Sequence, residues 1–238
     1  MTLAPTWLPS ALITDIDGTL TDQHKILDLD AVTGLRALEA NDIPVILATG
    51  SVTPTAQSLA QFIGTTGPVI SEGGGVIWWP QHGLEERLAD GGRARQAANW
   101  LAERIPGLDP SGIDSNRWRT TEWCLKSHHD AERVENLLKD SPFSELVVVA
   151  TGFAIHLAEP GIDKWAGLKV AAEWMKVDPE RIVAIGDAMN DLPMFEHVGW
   201  SVAVGGAFEQ VKDAASVAAS EQRGQAVSRL CTDIMISI

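Results

Sequence analysis

The sequence predicts an α/β protein built on a doubly wound parallel sheet, with a second, smaller α/β domain inserted into it. Short apolar runs of strand character alternate with segments of helical period near both ends of the chain, and this alternation is typical of βαβ units. The glycine-rich run SEGGG then interrupts the alternation. The 238 residues are enough to bury a sizeable core.

The first part of the sheet domain is expected over residues 1–78. Its apolar runs have the length of buried strands, and the segments between them carry apolar residues at helical spacing. We predict strands at 11–16 and 43–48 and helices at 31–40 and 53–62.

The inserted domain is expected over residues 79–159. After SEGGG the pattern changes to strand-like pairs around two helices, which favours a small antiparallel sheet with helices on one face. The predicted strands are 75–79, 121–126, 146–152 and 153–159, and the predicted helices are 93–104 and 131–139.

The second part of the sheet domain is expected over residues 160–238, where the alternation resumes. We predict a helix at 163–175, a strand at 181–185, a short helix after Asn190, a strand at 201–204 and a C-terminal helix from about residue 222.

Composition argues against two kinds of partner. The formal net charge is −14 at pH 7, so most of the surface would repel nucleic acid and anionic lipid. No segment reaches the ~18 apolar residues of a membrane span. Cys124 and Cys231 lie far apart and fit two buried, reduced thiols. We expect a soluble, cytoplasmic monomer or homodimer that binds neither nucleic acid nor membrane.

Polar residues stand at the ends of predicted strands or the start of a following helix in four places. The carboxyl ends of parallel strands share one edge of a sheet, and ligands gather there. We therefore expect these side chains to meet in one pocket. They are Asp15 and Asp17, then Thr49, Gly50 and Ser51, then Lys164, and finally Asp187 with Asp191.

The four aspartates predict a site for a hard divalent cation. Crowded carboxylates repel one another and either take up protons or bind a cation. Magnesium prefers oxygen ligands and commonly bridges carboxylates to a substrate phosphate. Histidines and cysteines are not clustered in the sequence, which argues against zinc. We therefore predict Mg²⁺ held by Asp15, Asp17, Asp187 and Asp191.

The same residues suggest phosphoryl transfer. Asp15, at the end of a strand, is placed to attack phosphorus as a nucleophile. Asp17 would project to the same side if the strand geometry persists, and would then act as general acid and base. Lys164 supplies a positive charge, and Thr49 with the amides of Gly50 and Ser51 is expected to hold phosphoryl oxygens.

The motifs carrying these residues resemble those of the haloacid dehalogenase superfamily, in the same order and across nearly the whole chain. They are DIDGTLTD, ILATGS, DK within GIDKWAGL, and GDAMND. The resemblance implies a doubly wound, Rossmann-like core with an inserted type-two α/β cap domain, Mg²⁺, and an aspartyl-phosphate intermediate on Asp15. It also implies that Lys164 contacts the substrate, and Asn190 of GDAMND is assigned to the substrate-binding set.

A closer resemblance is to the archaeal-type phosphoglycolate phosphatases. It rests on IDGTLTD, IGTTGPVISEGGGVI, SNRWR and GDAMNDLPMF, although Gly73 stands where relatives usually have asparagine. The implied substrate is a small phosphomonoester with a carboxylate. Arg117 and Arg119 are candidates to grip that carboxylate, because a guanidinium can bind it in bidentate fashion. The alternative is that they form surface or intradomain salt bridges.

Other functions remain open at this stage. A phosphatase of a sugar phosphate or of mannosyl-3-phosphoglycerate would use the same core, and so would a phosphomutase. A phospho-accepting signalling receiver also uses aspartates, magnesium and a lysine. Asp17 argues against a receiver, because an acid/base beside the nucleophile speeds hydrolysis. A catalytically inactive metabolite-binding protein is disfavoured by the full set of catalytic groups.

Overall fold

The structure of the protein is a computed structural model, and it describes residues 2–237. The chain divides into two compact units. The first comprises the residues up to Glu85 together with those from Asp163 onward, and the second comprises Glu86–Ile162. Across the described residues, none of the helices combines the length and the apolar character needed to cross a membrane.

Strands and helices alternate along most of the chain. The strands are β1 (Ala11–Asp15), β2 (Val45–Ala48), β3 (Val69–Ser71), β4 (Val76–Trp79), β5 (Leu84–Arg87), β6 (Glu122–Lys126), β7 (Val147–Ala150), β8 (Ala154–Ala158), β9 (Ile182–Gly186), β10 (Trp200–Ala203) and β11 (Val217–Ala218). The helices are α1 (Leu29–Glu39), α2 (Thr53–Ile63), α3 (Gly92–Ala102), α4 (Ala131–Lys139), α5 (Lys164–Met175), α6 (Leu192–Phe195), α7 (Glu209–Ala214) and α8 (Arg223–Ile236).

The main sheet has eight strands in the order β11-β10-β9-β1-β2-β3-β4-β5. Neighbours from β11 to β3 run parallel, whereas β4 runs antiparallel to β3. All residues of β1, β2 and β9 are buried, as expected for central parallel strands with near-continuous apolar sequences. The predicted fold class, a doubly wound α/β sheet with a smaller inserted α/β part, is confirmed.

Strand order sets the place of the site. β1 lies between β2, which follows it in the chain, and β9, which comes much later. The direction of winding therefore reverses between β1 and β9. In doubly wound sheets the connections diverge at such a point and leave a crevice at the carboxyl ends of the two strands.

The second unit is a three-stranded antiparallel sheet with the order β6-β8-β7. Helices α3 and α4 pack on one face of it through a buried apolar cluster that includes Ala98, Leu101, Val134, Leu125 and Leu157. Side chains alternate between the two faces of a strand. The neighbours of Leu125 and Leu157 in sequence therefore point to the face opposite these helices.

One predicted strand belongs to a different sheet. Residues 75–79 were expected in the inserted domain, but β4 pairs antiparallel with β3 in the main sheet. The glycine-rich segment makes a 3₁₀ turn at Glu72–Gly74 in which Gly73 has a left-handed φ of 67°, so the chain reverses and returns along β3. No strand or helix was predicted for the residues of β3, β5, α7 or β11.

Candidate active site

Two aspartates stand at the carboxyl ends of the adjacent strands β1 and β9. Asp15 is the last residue of β1 and is buried. Asp187 follows Gly186, the last residue of β9. Parallel pairing in the register Thr14 to Ile185 brings the two strand ends together. Asp191 completes a group of three carboxylates with oxygen atoms within 4.8 Å of one another.

Lys164 joins this group from the first turn of α5 and is fully buried. Its Nζ donates to Asp15 Oδ1 at 2.6 Å and to Asp191 Oδ1 at 2.5 Å. Burial lowers the pKa of Lys164, but the charges of the two aspartates outweigh burial and raise that pKa above its usual value. Lys164 therefore stays protonated and links two distant parts of the chain.

Asp191 also fixes the loop that follows β9. Its Oδ2 accepts from the backbone N–H of Asp187 at 2.9 Å and of Ala188 at 3.0 Å. With Lys164 on its other oxygen, both oxygens of this carboxylate accept hydrogen bonds. Asp191 thus positions the backbone that carries Asp187.

Two glycines leave room for the carboxylates. Gly18 has a left-handed φ of +89°, and a Cβ there would collide with the Asp187 carboxylate. A Cβ on Gly186 would collide with the Asp191 carboxylate. Only glycine suits such close approach, and at Gly18 the backbone conformation itself also favours it.

The surroundings of Asp15 and Asp187 raise the pKa of both carboxyl groups. Burial raises the pKa of Asp15 to about 8, helped by the negative charges of Asp191 and Asp187 and opposed by Lys164. Burial and the charge of Asp191 raise the pKa of Asp187 to about 6. Ionising the cluster therefore needs more positive charge than Lys164 alone supplies.

This donor set fits a hard divalent cation. Three carboxylates carry three negative charges, Lys164 balances one of them, and a dication would balance the other two. Oxygen donors are those that Mg²⁺ prefers. Asp15, Asp187 and Asp191 are the residues that would hold it.

Asp17 lies apart from the three-carboxylate group. Its Oδ2 accepts from Ser51 Oγ at 3.3 Å, and its Oδ1 is 3.3 Å from Lys25 Nζ. The expectation that strand geometry persists through Asp17 is wrong, because β1 ends at Asp15 and the N–H groups of residues 19–21 turn back to the Ile16 carbonyl. Its side chain is 32% exposed.

The residues expected to hold phosphate lie after β2. Thr49 is buried, and its Oγ1 accepts from the Ser51 N–H at 2.9 Å. The Ser51 amide is therefore used within its own loop, while Gly50 lies between the two. Asn190 is half-buried on the 3₁₀ turn Met189–Asp191.

The two candidate arginines lie in the second unit. Arg119 is buried and forms an ion pair with Glu122. Arg117 is exposed, its Nε donates to the Asp114 carbonyl at 2.9 Å, and its guanidinium lies 4.6 Å from the centre of the Trp118 ring. Both arginines line a cavity of about 700 Å³. The salt-bridge alternative raised for these residues is thus what the structure shows for Arg119.

Sequence reasoning missed two supporting residues, Thr19 and Lys25. Thr19 is fully buried and donates to Asp187 Oδ1 at 3.4 Å. Ser51 and Lys25 contact Asp17. Thr19 lies within the first motif and Lys25 lies shortly after it, so their closeness to Asp15 and Asp17 in the sequence was the available signal.

Known proteins resemble this chain over most of its length. Residues 12–105 and 111–230 match the family model for haloacid dehalogenase-like hydrolases. A phosphoglycolate phosphatase of Methanosarcina acetivorans is 36% identical over 87% of this chain and 88% of its own. A phosphoglycolate phosphatase of Haloarcula marismortui is 36% identical over 83% of this chain and 85% of its own.

Solved structures share the fold. A crystal structure of a Thermoplasma acidophilum protein has a TM-score of 0.86 at 24% identity and covers 97% of this chain and 100% of its own. A haloacid dehalogenase-like hydrolase from Bacteroides thetaiotaomicron has a TM-score of 0.77 at 22% identity, covering 93% and 99%.

Proposed function

The chain belongs to the haloacid dehalogenase-like hydrolase family, and from this premise we propose that it is a Mg²⁺-dependent phosphatase that hydrolyses 2-phosphoglycolate to glycolate and phosphate. The observation that carries the proposal is the setting of Asp15. Its Oδ1 is held by Lys164. Its Oδ2 is buried and has no hydrogen-bond partner among the described residues.

Asp15 serves as the nucleophile. Its Oδ2 forms a bond to phosphorus while the bond from phosphorus to the glycolate oxygen breaks. Lys164 orients the carboxylate and offers positive charge near the reacting groups. Bound Mg²⁺ would lower the negative charge of the phosphoryl group and so favour attack by an anion. Asp15, Asp187 and Asp191, and by the motif resemblance Asp17, are proposed to hold it.

Asp17 serves as general acid and then as general base. It donates a proton to the leaving glycolate oxygen, and later takes a proton from the water that attacks phosphorus and frees Asp15. Its partial exposure and its contacts with Ser51 and Lys25 suit a group that exchanges protons beside a fixed nucleophile. Thr49, Gly50, Ser51 and Asn190 are proposed to contact the substrate.

The first experiment measures inorganic phosphate released with Mg²⁺ from 2-phosphoglycolate, a sugar phosphate, mannosyl-3-phosphoglycerate and p-nitrophenyl phosphate. We expect 2-phosphoglycolate to have the highest kcat/KM. The phosphoglycolate phosphatases among the relatives support this choice. A higher kcat/KM for another phosphomonoester would replace the substrate but keep the phosphatase.

The nucleophile is tested with Asp15→Asn. We expect the release of phosphate to fall by at least ~10³-fold, because the amide is a far poorer nucleophile. Asp30→Asn makes the same change at an exposed position in the first turn of α1 and serves as control. Activity retained in Asp15→Asn would exclude this mechanism. Stable phosphorylation of the native chain without release of phosphate would favour the signalling receiver instead.

Recognition of the substrate carboxylate is tested with Arg117→Ala and Arg119→Ala. We propose that one of these guanidinium groups binds it. The corresponding variant should then lose about tenfold or more in kcat/KM for 2-phosphoglycolate and keep its activity on p-nitrophenyl phosphate, which has no carboxylate. Arg104→Ala removes another arginine stacked on a tryptophan of the same unit and is the control. An equal loss on both substrates would remove the carboxylate role.

A further inference from the structure

The second unit brings together three residues with metal-binding side chains that are scattered in the sequence. Cys124 on β6 pairs directly with His156 on β8, 32 residues away. Glu122 precedes Cys124 by two residues, so alternation places it on the same face. That face is opposite the one on which Leu125 and Leu157 meet the helices.

The three donor atoms converge within bonding reach of a single ion. Cys124 Sγ lies 3.3 Å from His156 Nδ1, and this nitrogen lies 2.8 Å from Glu122 Oε2. Cys124 Sγ lies 3.8 Å from Glu122 Oε1. All three residues are buried, with exposed fractions of 0% for Cys124, 5% for His156 and 4% for Glu122. One donor atom from each of the three residues lies within 4.8 Å of the other two.

Neighbouring side chains orient two of these donors. His156 Nε2 lies 3.2 Å from Thr151 Oγ1, and the Thr151 hydroxyl donates to the Ala154 carbonyl at 3.1 Å. Nε2–H therefore donates to Thr151, and Nδ1 faces the sulfur and the carboxylate. Arg119 pairs with Glu122 Oε1, which leaves Oε2 directed at His156. Such outer partners are typical of histidine and carboxylate ligands in metal sites.

We propose that Glu122, Cys124 and His156 form a Zn²⁺ site in the second unit. A thiolate and an imidazole are the soft and borderline donors that zinc takes and that magnesium does not. Donor atoms about 2.0 to 2.3 Å from a tetrahedral zinc lie roughly 3.4 to 3.6 Å from one another. The separation of 3.3 Å between Cys124 Sγ and His156 Nδ1 is close to that spacing, and Nδ1 and Oε2 need to move apart by roughly 0.6 Å.

Three protein donors leave one tetrahedral position for water or a small anion. Binding replaces protons by the metal. The Cys124 thiol gives up its proton to become a thiolate ligand, and any proton on His156 Nδ1 is released as well. No oxidant or reductant is required. The proposal does not depend on the phosphatase assignment, because these three residues are separate from Asp15, Asp187 and Asp191.

The test uses Co²⁺ as a spectroscopic probe. The purified chain is reduced, stripped of bound metal and then placed in excess Mg²⁺ before Co²⁺ is added. Magnesium occupies the carboxylate group and does not compete for sulfur. We expect one equivalent of Co²⁺ to produce a sulfur-to-cobalt charge-transfer absorption in the near ultraviolet, and Zn²⁺ to abolish it. The proposal would be overturned if the native chain showed no such absorption and bound Zn²⁺ no more tightly than Cys124→Ser does.

Variants assign the site. Cys231 is also buried, but it lies on α8 in the first unit, so Cys231→Ser is the matched control and should keep the absorption that Cys124→Ser loses. Thr151→Val keeps the shape of the side chain and removes the hydroxyl beside His156, and should weaken Zn²⁺ binding by about 10- to 100-fold. An absorption lost in Cys231→Ser and kept in Cys124→Ser would refute the assignment. If Cys124→Ser does not fold, the native chain and Thr151→Val decide.

Discussion

At the scale of single residues, the candidate site depends on charge balance among buried and half-buried side chains. Lys164 is the buried cation between Asp15 and Asp191, and its two short hydrogen bonds join segments 149 and 27 residues apart in sequence. Removing one partner of a buried ion pair leaves an uncompensated charge and is far costlier than losing a surface pair. Removing either aspartate partner of Lys164 should therefore destabilise the fold.

Gly18 provides a residue-scale test of how closely Asp187 is packed. Gly18→Ala should destabilise the protein and weaken Mg²⁺ binding roughly tenfold, equivalent to about 1.4 kcal/mol, because the new methyl group displaces the Asp187 carboxylate. Urea unfolding and Mg²⁺ titration by calorimetry measure the two effects.

Gly64→Ala is the matched control for Gly18. Gly64 has a φ of +90°, close to the +89° of Gly18, and a Cβ there meets no atom within 4 Å. Gly64→Ala should lower the free energy of unfolding by only the left-handed backbone cost of about 1–2 kcal/mol, and it should bind Mg²⁺ normally. Equal Mg²⁺ affinities in the two variants would show that Asp187 does not need this space.

At the scale of elements, strand ends and helix starts place the site. β1 and β9 deliver Asp15 and Asp187, and α5 delivers Lys164 from its first residue. Asp163 is the N-cap of α5 and accepts from the Ala166 N–H at 2.8 Å. The cap therefore fixes the position from which the Lys164 side chain starts.

Asp163→Ala should cost about 1 kcal/mol of unfolding free energy, because it removes an N-cap acceptor. We also expect the phosphatase kcat at saturating Mg²⁺ to fall severalfold, since the start of α5 becomes less well fixed. Denaturant unfolding and steady-state kinetics measure these changes.

Asp130→Ala is the control for this element. Asp130 caps α4 in the second unit by accepting from the Arg133 N–H at 3.2 Å, so its removal should cost a similar free energy and leave kcat unchanged. If both variants lower kcat to the same extent, the cap of α5 has no special link to Lys164.

At the scale of the whole molecule, the sheet order converts separated motifs into one site. The first motif is near one end of the chain and the fourth lies some 170 residues later, yet β1 and β9 are neighbours. Burial and the charge of Asp191 raise the affinity of Asp15 and Asp187 for protons, so a cation bound there and bound protons would compete. This competition makes metal binding and folding stability depend on pH.

The pH dependence has a definite sign. Asp15 and Asp187 have pKa values of about 8 and about 6 in the folded chain, raised mainly by burial above the usual aspartate value of 3.8. A group with a raised pKa binds its proton more tightly when folded, so its stabilisation is complete below pH ~4 and is lost as pH rises through the folded pKa. Without metal, this contribution to stability should therefore decline between pH ~4 and pH ~8.

Mg²⁺ should offset this loss. We expect the increase in Tm on adding Mg²⁺ to be small at pH 5 and to grow steadily to pH 8, because ionised carboxylates bind the cation. Thermal unfolding with and without Mg²⁺ across that range measures it, with Asp187→Asn expected to flatten the rise near pH 6. An increase in Tm that is the same at every pH would contradict the competition.

Much of the fold could be predicted from local patterns. The strands 11–16, 43–48 and 181–185 correspond to β1, β2 and β9, and the helix 131–139 coincides with α4, because buried strands and amphipathic helices have distinct apolar periods. The strand 75–79 was placed in the wrong sheet, since its pattern does not specify a partner. Short edge elements such as β11 carry too few residues for a period to be recognised.

The sequence by itself determined the fold class, the family motifs and a set of four candidate aspartates that includes the three of the acidic group. These follow from apolar period, turn residues and motif order, all of which are local or linear properties. Only the tertiary structure decided that Asp17 lies outside the three-carboxylate group, that Arg119 is paired with Glu122, and that Cys124 meets His156. Such contacts depend on where strands end and how they pair across long separations, and a linear pattern does not encode either one.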